Sequence, residues 1–151
     1  MINFKLLTIF VSMNKEVLRF IKFGLFSASA GIIEIVSFTL LKEFTPSPDW
    51  LSYLIGLVLS VLWNFTLNRK FTFRSVANVP RALFLVALYY AVFTPSTTLL
   101  EHWLTDGAHW NGYLVTAINM ILNFVTEFLY QKYVVYGKTV DSALKPVDKN
   151  L

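Results

Sequence analysis

The stretch NFTLNRKFTF, residues 64–73, closes an apolar run with two Asn, an Arg and a Lys, and Arg74 follows directly. A fainter copy, EFLYQKYVVY, returns at 127–136. The copies pair Asn64 with Glu127, Phe65 with Phe128, Asn68 with Gln131, Arg69 with Lys132 and Phe73 with Tyr136, at a spacing of 63 residues. The helix starts agree more loosely: VLRFIKF at 17–23 resembles VPRALFL at 79–85, and LSYLIG at 51–56 echoes NGYLVT at 111–116. These shorter matches fall out of register with the closing motif, so small insertions between the copies are expected. The chain therefore reads as one unit written twice, each copy ending in amides and cations.

Composition says which solvent the unit lives in. Of 151 residues, 56% are hydrophobic and only 15% charged, with mean hydropathy +0.57. A soluble domain carries about a quarter charged residues, and a chain this short cannot hide such an apolar excess in one core. Lipid is the natural surrounding. With no cysteine, disulfides and thiol chemistry are excluded. His102 and His109 are the only histidines, too few for a His-based metal cluster. Neither a metal nor a cofactor is expected. No nucleophile–base pair or Gly-rich phosphate loop marks an enzyme.

Four segments are long and apolar enough to cross about 30 Å of hydrocarbon: Phe20–Leu41, Leu51–Leu67, Ala82–Leu100 and Gly112–Tyr130. KEFTPSPDW, with two prolines, joins the first pair, and EHWLTDGAHWNG joins the last. Residues 1–12 are too short to span and fit an interfacial helix. NKEVLR interrupts the apolar region and argues against a signal peptide. Residues 1–16 are then an N-terminal segment, 17–136 the membrane domain and 137–151 a C-terminal tail. The expected fold is all-α and polytopic, with four transmembrane helices arranged as two parallel-repeat helical hairpins.

The charges set a direction. Lys5, Lys15, Arg19, Lys22, Arg69, Lys70, Arg74, Arg81, Lys132, Lys138, Lys145 and Lys149 all fall on one side of a four-span topology, with Lys42 alone on the other. The positive-inside rule puts both termini in the cytoplasm. This placement accounts for the net charge of +4 without a nucleic-acid partner. Because each copy crosses twice, both share one orientation, and the repeat is parallel about an axis along the membrane normal.

Inside the spans, polar groups recur at four-residue intervals. Asn119, Asn123, Glu127 and Gln131 mark one face of the fourth span, and Gly56, Ser60, Asn64 and Asn68 the matching face of the second. For Gly56 and Ser60 the reading is close helix packing. The amides with Glu127 point to a polar cavity. Glu34 lies about 16 Å into the first span, where a carboxyl must be protonated, paired or facing water; Asn119 or Asn123 are its candidate partners. Pro95 falls mid-span beside Ser96, Thr97 and Thr98, whose hydroxyls could serve the carbonyl it frees. At the basic end, Arg69, Lys70, Arg74 and Lys132 with Asn68 and Gln131 suit an anionic head on a long hydrocarbon tail.

These residues together resemble the GtrA-like family, over about Val17 to Tyr136. RFIKFG before the first span, an acidic residue late in that span, NFTLNRKFTF closing the second and NF…QKYVVY closing the fourth carry the resemblance. It implies a small bacterial inner-membrane protein, without cofactor, that flips a polyprenyl-phosphate-linked sugar for cell-surface glycans. It transfers roles to Asn64, Asn68, Arg69 and Glu34. Two departures stand out: the family's acidic position is usually Asp or Asn, and an Asn-Arg pair is common where this chain has Gln131-Lys132.

The expected phosphate end is thus Asn64, Asn68, Arg69, Arg74, Gln131 and Lys132, and the expected sugar path Glu34, Asn119, Asn123 and Glu127. The expected partners are the lipid-linked sugar, membrane lipid, a glycosyltransferase and a second copy of the chain, since four short helices are thin for a sugar path. Two readings compete. One is a scaffold that recruits a glycosyltransferase without transport; the other is a proton-coupled small multidrug exporter, against which the closing motifs and the repeat both argue.

Overall fold

The computed structural model describes residues 4–46 and 48–145; Lys149, counted among the basic-side cations, lies outside them. Four helices carry the fold: α1 (Phe4–Phe44), α2 (Asp49–Leu67), α3 (Val79–His102) and α4 (Gly112–Tyr130). No strand occurs among the described residues. Each helix belongs to a stretch long and apolar enough to cross a membrane, so the protein is all-α with four candidate spans.

The expected ends of the second and fourth spans, Leu67 and Tyr130, are the observed ends of α2 and α4. The start of the chain differs. Residues 4–16 form no separate interfacial helix but continue α1, which at 41 residues is about 60 Å long, roughly twice the hydrocarbon thickness. Asn14, Lys15 and Glu16 interrupt the hydropathy without interrupting the helix, because Lys and Glu are good helix formers in water or at an interface. Pro46 and Pro48 then separate α1 from α2. Asn78 opens α3 by accepting the Arg81 N–H at 3.1 Å, with Pro80 in the first turn. Asn111 opens α4, accepting from Tyr113 and Leu114.

α2 and α4 finish alike. Each widens into a π turn in which the backbone N–H reaches five residues back: Phe73 to the Asn68 carbonyl at 2.8 Å, Tyr136 to the Gln131 carbonyl at 2.9 Å. The next residue then turns left-handed, Arg74 at φ 47° and Gly137 at φ 39°. α3 ends the same way through Ala108 and Trp103, with His109 at φ 55°.

This closure corrects the expected register. α2 and α4 are both 19 residues long and start 63 residues apart, at 49 and 112. Many buried positions keep that spacing: Arg19 and Ala82, Phe23 and Val86, Ser52 and Val115, Asn68 and Gln131, Phe73 and Tyr136. The repeat runs without insertion across this range. Arg19 therefore corresponds to buried Ala82, and not to exposed Arg81 as the loose helix-start match had it.

The chain divides between Arg74 and Ser75 into two compact units. In the first, α1 packs closely along α2. Gly56 makes this possible: a Cβ there would lie 3.0 Å from the Glu34 carbonyl oxygen and 3.4 Å from the Phe38 nitrogen. Phe23 and Phe73, both fully buried, meet edge to face with centroids 6.2 Å apart. In the second unit α3 and α4 touch over a shorter length. Tyr89 forms its centre, stacked on Phe93 with centroids 5.1 Å apart and tilted against Tyr130 at 5.1 Å.

Candidate functional site

In the first unit the closing motif is a ladder of side chains one helical turn apart. Ser27 Oγ of α1 donates to Asn64 Oδ1 at 3.3 Å, Asn68 Nδ2 donates to the same oxygen at 2.6 Å, and Thr72 Oγ1 donates to Asn68 Oδ1 at 2.7 Å. Arg19, only 7% exposed, donates Nε to the Thr72 carbonyl at 3.2 Å and pairs through its terminal nitrogen with Glu16. A guanidinium from α1 thus holds the carbonyl that the widened turn leaves over. Arg69 and Arg74 on this closure are partly exposed, and Lys70 lies over the Phe71 ring at 5.3 Å. Further along the same hairpin, Glu34 accepts from Ser60 Oγ at 3.2 Å.

The second unit repeats the ladder with one rung missing. Gln131 Nε2 donates to Glu127 Oε1 at 2.9 Å. Val135 stands where the first unit has Thr72 and offers no hydroxyl, so Gln131 Oε1 is buried with no hydrogen-bond partner. Lys132 lies over the Tyr133 ring at 4.9 Å. Deeper in the unit, the Tyr89 hydroxyl bonds Asn123 Oδ1 at 3.1 Å and Thr126 Oγ1 at 2.7 Å. At the far end, Glu101 of α3 accepts from Thr116 Oγ1 at 3.1 Å and, at the long limit of 3.5 Å, from Asn119 Nδ2.

The expected polar faces are real, but their parts do different work. Asn64 and Glu34 bond across to groups on the neighbouring helix of their own unit, and so do Asn119 and Asn123. Glu34 takes its proton donor from Ser60, on the adjacent α2, where the sequence had offered Asn119 or Asn123. Asn68 is 0% and Gln131 1% exposed. Both secure the helix ends, which revises the expectation that they present donors to a ligand. Arg69, Arg74 and Lys132 remain partly open. The hydroxyls of Ser96, Thr97 and Thr98 bond the carbonyls of Val92, Phe93 and Thr94; the carbonyl that Pro95 frees is that of Ala91.

Three residues were missed. Arg19 reads in sequence as one more basic-side charge, because burial of a cation is invisible to a count. Glu101 was assigned to a loop, yet α3 runs past it to His102. Tyr89 is one of seven tyrosines with nothing local to single it out. No group of three or more metal-ligating side chains occurs among the described residues.

Most large apolar side chains face outward while amides and hydroxyls meet between paired helices. That arrangement defines a polytopic membrane protein made of two copies of a helical hairpin, each locked at one end by the same π turn. The chain belongs to the GtrA/DPMS transmembrane-domain family, whose model matches residues 22–136. No curated protein and no solved structure matches it.

Proposed function

We propose that this protein flips a polyprenyl-phosphate-linked monosaccharide across the bacterial inner membrane, for building or modifying surface glycans. The observation that carries the reading is the closure of the first hairpin. Within a GtrA-family membrane domain, an amide ladder fixes the end of α2, with Arg69 and Arg74, both partly exposed residues, beside it. Guanidinium forks suit phosphate oxygens. The prenyl tail stays in lipid, while the sugar follows the polar groups of the hairpins, since each hydroxyl left unpaired in hydrocarbon costs several kcal/mol.

In this reading both termini and the closing motifs face the cytoplasm, the side that the positive-inside rule favours for this cation distribution. A glycosyltransferase supplies the lipid-linked sugar, the working form is an oligomer, and the protein performs no chemistry of its own. Within the first unit Asn68 positions the end of α2 that carries Arg69, and Glu34 offers a polar group to the sugar. Within the second, Gln131 and Glu127 position the end of α4, and Asn119 and Asn123 offer polar groups.

The test is reconstitution into vesicles carrying a radiolabelled lipid-linked sugar. Protein-dependent transbilayer movement, reduced by Arg69→Ala and unaffected by Lys138→Ala, is the expected result. An unchanged rate in wild-type vesicles sinks the transport reading and leaves the scaffold.

A further inference from the structure

The second unit contains a feature that the repeat does not require. Between α3 and α4, at the end remote from the Gln131 closure, lies an open cleft of about 270 Å³, near the small end of ligand pockets. Its walls include Tyr90, Thr97 and Glu101 from α3, and Thr116, Asn119 and Asn123 from α4. The corresponding residues of the first unit, counted 63 positions back, are Ser27, Glu34, Phe38, Tyr53, Gly56 and Ser60. There Gly56 lets the helices meet. Asn119 in its place is a side chain between the helices.

The lining has a particular chemistry. A carboxylate, two amides and three threonines share the lining with the rings of Tyr90 and Phe93 and with Met120. Glu101 is acceptor-only when ionised and has lone pairs beyond those used by Thr116 and Asn119. Asn119 Oδ1 is buried with no donor, so a turn of this side chain towards the cleft would let an incoming O–H or N–H satisfy it. Among the described residues, Glu101 bonds these two neutral groups and no cation. A phosphate or a uronic acid would be repelled here; a neutral polyhydroxylated ring would not.

We propose that this cleft is a seat for the substrate's sugar, with Glu101 and Asn119 as its hydroxyl-binding pair and a selectivity for neutral sugars. The inference rests on the proposed flippase reading and adds a stage to it. Asn119 and Gln131 are twelve residues apart on one helical run, about 18 Å at about 1.5 Å per residue. That is longer than one sugar ring with its phosphate. A sugar in the cleft has therefore left the closing motif behind, and in the proposed orientation the cleft is the release-side station.

The experiment measures binding to purified full-length protein in a sugar-free detergent. The probes are a water-soluble ten-carbon prenyl phosphate, bare or carrying glucose, galactose, mannose or glucuronic acid. Wild type is expected to bind at least one neutral glycosylated probe more tightly than the bare one, and the glucuronyl probe no better. Glu101→Gln should shrink that preference by roughly ten- to a hundredfold, the worth of a charge-assisted hydrogen bond. Thr116→Val, which removes only a supporting hydroxyl, should shrink it less; unchanged thermal unfolding midpoints establish that both variants are folded. A neutral-sugar preference that survives both substitutions, or equal binding of bare and glycosylated probes, overturns the cleft and leaves the flippase reading standing. Binding of none of the probes overturns both.

Discussion

Gly56 and Asn119 hold the same place in the two hairpins, and their difference separates a closed half from an open one. At Gly56 the backbone of α1 comes within 3.0 Å of where a Cβ would be. At Asn119 an amide reaches across to Glu101 and a cleft remains. Duplicated hairpins with one closure thus serve unlike ends: the first is a tight frame, the second has room between its helices. The most direct way to break this contrast is to exchange the residues. Gly56→Asn forces a side chain into backbone, and overpacking of this kind costs on the order of 3 kcal/mol. It should show as a large loss of stability in SDS-titrated unfolding from mixed micelles. The mirror change, Asn119→Gly, should cost only about 0.3 kcal/mol in helix propensity, because Asn already carries much of glycine's penalty relative to Ala, while removing one of the two proposed sugar contacts. Equal losses from both would show that the halves pack alike.

A second asymmetry lies at Arg19 and Ala82. Arg19 reaches the Thr72 carbonyl and Glu16, whereas Ala82 has nothing to offer at the matching point of the second closure. Arg19→Met keeps much of the apolar stem and removes the charged donor. A loss of about 2 kcal/mol is expected, in line with hydrogen bonds from charged groups. Arg81→Met, on an exposed residue, should change stability little. Parity between the two would reduce Arg19 to a topology signal.

The smaller rung difference, Thr72 against Val135, yields a pair of opposite predictions. Thr72→Val removes the donor to Asn68 Oδ1 and should destabilise by about 1 kcal/mol. Val135→Thr supplies the donor that Gln131 Oε1 lacks and should stabilise by about 0.6 kcal/mol, the usual worth of such bonds inside membranes. Opposite signs support one ladder built twice. Two losses would mean that the second closure tolerates its orphan for some other reason.

What was legible beforehand follows a physical line. The ends of α2 and α4 were read to the residue, because an apolar run meets an amide and a cation at Asn68-Arg69 and at Gln131-Lys132. The length of α1 was not, since hydropathy reports preference for lipid and says nothing of whether Asn14-Lys15-Glu16 stays helical. Individual polar residues were found at correct spacing, but their partners were not. Glu34 bonding Ser60, and Asn68 being buried rather than offered, depend on which helix faces which. Glu101 escaped for a related reason: a charged residue after a hydrophobic run looks like a loop until the helix is seen to continue past it.

The finest contrast is the left-handed residue after each π turn, Gly137 in one half and Arg74 in the other. Glycine adopts this backbone freely, whereas a residue with a Cβ pays about 1 kcal/mol. Arg74→Gly should therefore stabilise the protein by somewhat less than that, because the unfolded chain also gains freedom with glycine. If the strained arginine is kept for its guanidinium, the same variant binds the bare prenyl phosphate more weakly although it unfolds later. Gly137→Arg is the converse: stability falls, and a second guanidinium appears at the other closure. Loss of stability in Arg74→Gly, or unaltered phosphate binding, would mean that position 74 is held by packing and has no part in receiving the lipid head.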